Sequence, residues 1–307
     1  MLVVKLKNNL SVRELGGKGY SLGVLIKNNF DVPKGFVIIS EAFFKFLNYN
    51  NLTERIEKLA SGIDRENFRE KCEKIRNLIS EGKVPKDLIL EIKENLNKLN
   101  SLRISIRSSA ANEDSLQASF AGLHDTFLNI NSKSDLIFDY IKRCWTSLFN
   151  ERAATYRIKK ELPHLGGMAV IIQKMIPAEV SGVTFTVHPT NKNALLIEAS
   201  YGFGDVIVSG EIEPDDYIVD RETLIIINKK IGNKSKMSIC QNGESGVIEV
   251  KKELARKQVL SDNKVEEVAQ VCKKIEKIFN YPQDIEWSIS NNKLWLLQSR
   301  PITGAIR

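Results

Sequence analysis

Near residue 163 the hydrophobic period of this 307-residue chain changes, and that change constrains the fold more than any other feature. Before it, apolar residues recur at helical spacing. Leu22, Leu25 and Ile26 do so in GGKGYSLGVLIKNN (16–29), followed by EAFFKFLNYN and by three segments across 53–98, broken at Ser61-Gly62 and between Gly82 and Pro85. Two short β-runs, GFVIIS (35–40) and LRISI (102–106), interrupt them, with Ser40 placed to cap the helix that follows. Residues 134–161 put Leu136, Ile137, Tyr140, Ile141 and Trp145 on one helical face. After His164-Leu165-Gly166-Gly167 the period shortens to two. MAVIIQKM, GVTFTV, ALLIEAS, DYIVD, LIIINKK, SGVIEV, DIEWSIS and KLWLLQS follow one another, interrupted by one long helix over 262–279. The spacing predicts an α+β chain with a helix-rich N-terminal lobe over 1–166 and a sheet-rich C-terminal lobe over 167–307.

Composition excludes several classes of function. Apolar residues make up 42% and charged residues 27%, the balance of a folded globular chain. No window approaches the roughly 18 apolar residues of a membrane span, and MLVVKLKNNLS has too short an apolar run for a signal peptide. Cys72, Cys144, Cys240 and Cys272 form no CxxC pair, which argues against zinc knuckles and disulfide frameworks. They read as small buried hydrophobes in a reducing, cytoplasmic compartment. A formal charge of +7 favours an anionic partner. The lysines alternate with glutamates, as in IEKLASGIDRENFREKCEKIRNLI, and no basic block carries interleaved aromatics, so a phosphorylated ligand is favoured over nucleic acid.

Three stretches carry the chemistry of such a ligand. Gly16-Gly17-Lys18-Gly19 opens a helix with glycines, exposing backbone N–H groups to an anion, and Lys18 adds a mobile positive charge. The stretch is not a GxxxxGK[ST] loop, and a plain turn is an equal reading of it alone. RSSAANEDSLQASFAG (107–122) begins where a strand ends, placing the Arg107 guanidinium beside the Ser108 and Ser109 hydroxyls, ahead of a loop of small residues able to fold over a phosphate chain. In QDIEWSIS–NNK–LWLLQSRP, alternation places Ile285, Trp287 and Ile289 on one face and Asp284, Glu286 and Ser288 on the other. A three-residue loop, Asn291–Lys293, sets Glu286 opposite Gln298, Trp287 opposite Leu297 and Ile289 opposite Trp295. A two-residue loop would set Glu286 against Leu297. The face so formed gathers Glu286, Gln298 and Arg300, suited to a nucleotide's Mg2+ and phosphates. Glu198 ends the strand ALLIEAS before YGFGDVIVSG, a loop that is either a ligand lid or a turn, and the acids of EIEPDD read as a solvated turn. His124, His164 and His188 stand in no triad or metal-ligand spacing.

Taken in order, LGGKGYSLGVLIKNNFDVPKGFVI, ISIRSSAANEDSLQASFAGLHDTFLNI, VIIQKMIPAEVSGVTFT, IEASYGFGDVIVSGEIEPDDYIVD and QDIEWSISNNKLWLLQSRPIT cover nearly the whole chain. Together they resemble the ATP-binding domain of the phosphoenolpyruvate synthase, pyruvate phosphate dikinase and rifampicin phosphotransferase family. The resemblance implies a two-lobe ATP-grasp fold with the nucleotide in the inter-lobe cleft, and ATP and Mg2+ as cofactors. It implies that Lys18, Arg107 and Arg300 contact phosphates and act in catalysis, with Ser108 beside Arg107. Gly122 and Thr126 would lie along the nucleotide, Gln173 would meet adenine or ribose, and the backbone of Lys174, Met175 and Ile176 would recognise the adenine edge. Glu286 and Gln298 would hold Mg2+. In that family a histidine in a Thr-Ser-His motif takes the β-phosphoryl group, releasing AMP and phosphate, and passes it to a small acceptor. No histidine here matches that motif, so the resemblance implies an ATP-dependent phosphotransferase component whose phosphohistidine domain lies elsewhere. A self-contained kinase acting on a small acceptor and a nucleotide-binding regulatory module are the alternatives.

Overall fold

A computed structural model describes residues 1–7, 9–111, 125–241 and 244–302. The described chain is 39% helical and 30% strand, a mixed α+β architecture. It divides into two compact units, Met1–Val24 with Lys34–Met175, and Leu25–Pro33 with Ile176–Arg307. Among the described residues no helix is long and apolar enough to cross a membrane.

The first unit runs β1 (Val3–Lys5), α1 (Val12–Lys27, whose last turn belongs to the second unit), β2 (Gly35–Ile38), α2 (Ser40–Tyr49), α3 (Thr53–Ser61), α4 (Phe68–Glu81) and α5 (Lys86–Leu99). It continues with β3 (Arg103–Ala110), β4 (Thr126–Asn131), α6 (Ile137–Thr146), α7 (Glu151–Lys160) and β5 (Met168–Lys174). Its five antiparallel strands lie in the order β1-β2-β5-β3-β4. The two-residue period means that one face carries Phe36, Ile38, Ile104, Ile106, Val170 and Ile172, which join Phe43, Phe46 and Trp145 in the core. Phe46 and Trp145 meet with ring centroids 4.9 Å apart. The helices between Thr53 and Leu99 break at the glycine and proline signals the sequence displays. Ser40 does not cap α2; its hydroxyl donates to Arg13 O at 2.8 Å instead. The strand β5 hydrogen-bonds between β2 and β3 and so belongs to this unit, because apolar alternation shows that a segment is a strand but not which sheet it joins.

The second unit contains β6 (Val180–Phe185), β7 (Ala194–Tyr201), α8 (Asp205–Val208), β8 (Asp215–Asp220) and β9 (Ile226–Lys230). These are followed by β10 (Lys236–Gln241), β11 (Glu244–Glu249), α9 (Lys252–Ala255), α10 (Asp262–Phe279), β12 (Gln283–Ser290) and β13 (Lys293–Pro301). A six-stranded antiparallel sheet has the order β13-β12-β6-β7-β8-β9, and β10 pairs with β11 as a separate hairpin. The α10 stripe Val265, Val268, Ala269, Cys272 and Ile275 is buried, and α10 packs on β12, whose Ile285, Trp287 and Ile289 are buried. Three cysteines behave as buried hydrophobes, whereas Cys240 on β10 is exposed.

Gly182 faces Trp287 across β6 and β12, where a Cβ would come within 2.3 Å of both Trp287 Cζ2 and Glu198 O. The indole stays buried there by donating its Nε1–H to Thr184 Oγ1 at 2.8 Å. Gly182→Ala is expected to destabilise the unit by about 1–3 kcal/mol through overpacking. The check is urea unfolding followed by tryptophan fluorescence, in which an unchanged midpoint would contradict the packing described.

The acids of EIEPDD divide: Glu211 and Glu213 are exposed, as in a solvated turn, but Asp215 is not. Asp215 is fully buried and ion-paired with the equally buried Lys234. Its carboxylate also accepts the Gly232 amide at 3.0 Å, the Val259 amide at 2.8 Å and the Tyr217 hydroxyl at 3.3 Å. Burial pushes the Tyr217 phenol well above its ordinary pKa. This network joins β8 to the segments before β10 and before α10.

Candidate functional site

In the first unit the site builds around a break in α1. Gly16 sits at φ 72 and ψ 169, so the helix restarts at Gly17. A continuous helix would bond Gly19 N–H to Leu15 O; here the buried Ser109 hydroxyl stands between them, accepting from Gly19 N at 3.1 Å and donating to Leu15 O at 2.8 Å. A Cβ on Gly16 would lie 2.1 Å from Ser109 O, so only glycine permits this approach. Lys18 is buried rather than mobile, and its ammonium donates to Ser108 O at 3.2 Å.

The strand β3 does not end at Arg107 but runs on to Ala110. Arg107 and Ser109 therefore share one face, opposite the core face. Ser108 occupies the other, with its hydroxyl donated to Asp125 O at 2.9 Å, so the two serine hydroxyls do not converge beside the guanidinium. Arg107 is buried, opposite Thr126 on β4 and Ile171 on β5, and Thr126 itself is exposed. Gln173, buried on that same face, pairs with Ser105 and Gly35. The Lys174 amide donates to Lys34 O at 2.9 Å and the Met175 amide to Arg103 O at 3.0 Å, while Ile176 O accepts from Ala178 N at 2.8 Å. The first unit thus gathers Lys18, Arg107, Thr126 and Gln173 around α1 and β3. Gly122 and His124 lie outside the described residues.

In the second unit the hairpin β12–β13 pairs Glu286 with Gln298 and Asp284 with Arg300. The route to that register differs from the expected three-residue loop. Ser290 pairs with Lys293 across a two-residue turn, Asn291 at φ 51 and Asn292 at φ 61, the left-handed pair whose twist suits a hairpin. Trp287 then faces Leu296 and Ile289 faces Leu294, not Leu297 and Trp295. A β-bulge absorbs Leu297 and restores the Glu286–Gln298 pair. Alternation counted without the bulge puts Leu296 on the wrong face.

Registers across the sheet extend this face. One row reads Gln298, Glu286, Val183, Glu198, Asp216 and Lys230. Glu198 is therefore mid-strand in β7, which runs on to Tyr201, rather than at a strand end. Burial, then the Asp216 and Asp284 carboxylates, push the Glu198 carboxyl above its usual range. Burial likewise raises Asp216, against the opposing pull of Lys230. Asp284 is raised by burial despite Arg300, whose Nε and Nη2 reach Asp284 Oδ2 at 2.8 and 2.7 Å. Asp284 Oδ1 is buried with no hydrogen-bond partner among the described residues. Among those residues no three His, Cys, Asp or Glu side chains form a metal cage by themselves. A face that crowds carboxylates and leaves one carboxylate oxygen without a hydrogen-bond partner among the described residues suits a cation that brings further oxygen ligands with it. Sequence reading missed Glu198 and Asp216 as members of this face; the available signal was a lone carboxylate inside the apolar run LLIEAS.

Residues 12–307 match the family described as pyruvate phosphate dikinase, AMP/ATP-binding domain. The probable phosphoenolpyruvate synthase of Methanocaldococcus jannaschii is 39% identical over 309 residues, covering 96% of this chain and 26% of that protein. That of Archaeoglobus fulgidus is 38% identical, covering 97% and 40%. The phosphoenolpyruvate synthase of Pyrococcus furiosus is 35% identical, covering 94% and 42%. The chain thus spans between a quarter and a half of the length of these curated relatives. Among solved structures, D-alanyl-alanine synthetase A from Vibrio cholerae overlaps 70% of the chain and 47% of its own at 11% identity, with a TM-score of 0.28, too slight an overlap to establish a common fold.

Proposed function

Because the chain belongs to the pyruvate phosphate dikinase AMP/ATP-binding domain family, we propose that it binds ATP with Mg2+ and presents the polyphosphate for transfer to a histidine on another domain or chain, as part of a phosphoenolpyruvate synthase-like phosphotransferase. The observation that carries this reading is the second unit's sheet face. It pairs Glu286 with Gln298, sets Arg300 on Asp284, and leaves Asp284 Oδ1 without a hydrogen-bond partner among the described residues. In this reading the fold is of ATP-grasp type. The first unit supplies Lys18 and Arg107 to the phosphates, Thr126 along the nucleotide, and Gln173 with the Lys174–Ile176 backbone to the base and ribose.

Mg2+ takes one or two carboxylates together with phosphate oxygens, a demand that Glu286 and Gln298 meet as a carboxylate and an amide oxygen. When bound, the ion neutralises charge on the phosphate oxygens. Phosphoryl transfer asks the protein mainly for positioning and charge neutralisation. The three basic groups do this. Arg107 is held in a strand against Ile171 and Thr126, Arg300 is oriented by Asp284, and Lys18 is anchored at the break in α1. Thr126, exposed on β4, meets the nucleotide from the solvent side in this reading. Glu198 and Asp216 extend the acidic face beyond Glu286 and enter the proposal as residues that favour a cation there.

Phosphorus NMR of the purified chain with ATP and Mg2+ tests the division of labour. ATP resonances that broaden and shift without forming AMP are expected of a clamp that waits for its histidine partner. AMP and phosphate formed by this chain alone, and lost in Lys18→Ala, would establish a self-contained enzyme and overturn that division.

A further inference from the structure

We propose that Ser109 is a positioning residue whose hydroxyl, inserted into the helix ladder of α1, holds Lys18 in place and so sets affinity for a polyphosphate. The inference deepens the ATP-binding reading above and rests on it. Three observations meet at this hydroxyl. It takes both ends of the one hydrogen bond that a continuous helix would make from Gly19 to Leu15. It is completely buried, so no water substitutes for it. Gly16, whose missing side chain admits it, lies two residues before Lys18, and the ammonium of Lys18 is received by Ser108 O, the carbonyl next to Ser109 in the chain.

The helix break, the lysine and the strand bearing Arg107 are thus one assembly. The helix cannot straighten while the hydroxyl is in place, and Lys18 cannot shift along the helix without straightening it. Loss of the hydroxyl allows Gly19 N–H to bond directly to Leu15 O, which closes the break and draws Lys18 away from β3.

Two readouts test this on the full chain. The first needs no nucleotide. Acetic anhydride labelling of Lys18, followed by mass spectrometry, is expected to run several-fold faster in Ser109→Ala than in Ser147→Ala. The latter also loses a buried hydroxyl from the first unit, one that donates to Cys144 O at 2.7 Å far along the chain. The second is a double-mutant cycle on the dissociation constant for ATP with Mg2+. Ser109→Ala is expected to weaken binding about tenfold in the native background and less than about twofold in Lys18→Ala, because coupled residues are non-additive. Equal labelling of the two serine variants, or equal weakening in both backgrounds, would overturn the proposal. If the native chain binds no ATP, the nucleotide reading falls while the labelling rates still decide whether Ser109 positions Lys18. Should Ser109→Ala fail to fold, Ser109→Cys puts a larger, weakly hydrogen-bonding thiol at the same place and carries the same comparisons.

Discussion

Asp215→Ala is expected to leave the second unit largely unfolded at temperatures where the first remains intact. The substitution strands the fully buried Lys234 ammonium and removes the acceptor for the Gly232 and Val259 amides and the Tyr217 hydroxyl. Breaking one side of a buried ion pair costs about 3–5 kcal/mol, and each orphaned buried donor adds about 1–3 kcal/mol. Those losses rival the roughly 5–15 kcal/mol that holds a typical domain folded. Lys234→Ala is expected to be milder, because the Asp215 carboxylate keeps its two amides and its hydroxyl. Replacing both partners with apolar residues is not expected to restore stability, since the amides would remain unsatisfied. Trp287 and Trp295 report on the second unit and Trp145 on the first, so urea unfolding of variants that keep only one set separates the two. Equal stability of Asp215→Ala and the native chain would contradict the network.

The same residue shows where sequence reading stops. Next to Pro214 and Asp216, Asp215 looks like any acid in a turn, and nothing in sequence ties it to a lysine 19 residues later. Local periodicity did locate the α10 helix and most strands, though not β1, β4 or β10, because burial on one side imprints a period of 2 or 3.6 on the residues themselves. It paired Glu286 with Gln298 but by the wrong path. The double left-handed Asn291-Asn292 turn shifts the register by one, and the bulge at Leu297 shifts it back. The roles of Ser109 and Glu198 escaped notice for a related reason. Each acquires its meaning from a partner far along the chain, Ser109 from α1 and Glu198 from β6 and β8. The motif singled out Lys18 as a candidate but not its burial, since a lysine among glycines reads as exposed.

The second large effect concerns the ligand. Arg107→Ala is expected to weaken ATP binding about 10- to 100-fold, the loss of charge-assisted hydrogen bonds from a buried guanidinium. Because Arg107 stands in a core-backed sheet between Ile171 and Thr126, the variant also tests whether the loss is one of binding or of folding. An unchanged thermal midpoint with a raised dissociation constant assigns it to binding. Glu286→Gln keeps the shape of the side chain and removes its charge. It is expected to abolish the gain in affinity that Mg2+ gives while leaving metal-free ATP binding as it was. Its half-exposed position on β12 makes a folding defect an unsuitable explanation for that pattern.

Calorimetric titration of ATP into the native chain and into Glu286→Gln, each with Mg2+ and with chelator, measures nucleotide binding and its dependence on the metal together. The native chain is expected to bind ATP more tightly with Mg2+, and Glu286→Gln to bind it equally with and without the metal. A native chain that takes up no ATP, or a Glu286→Gln variant that keeps the full Mg2+ dependence, would contradict the proposed binding of ATP with Mg2+.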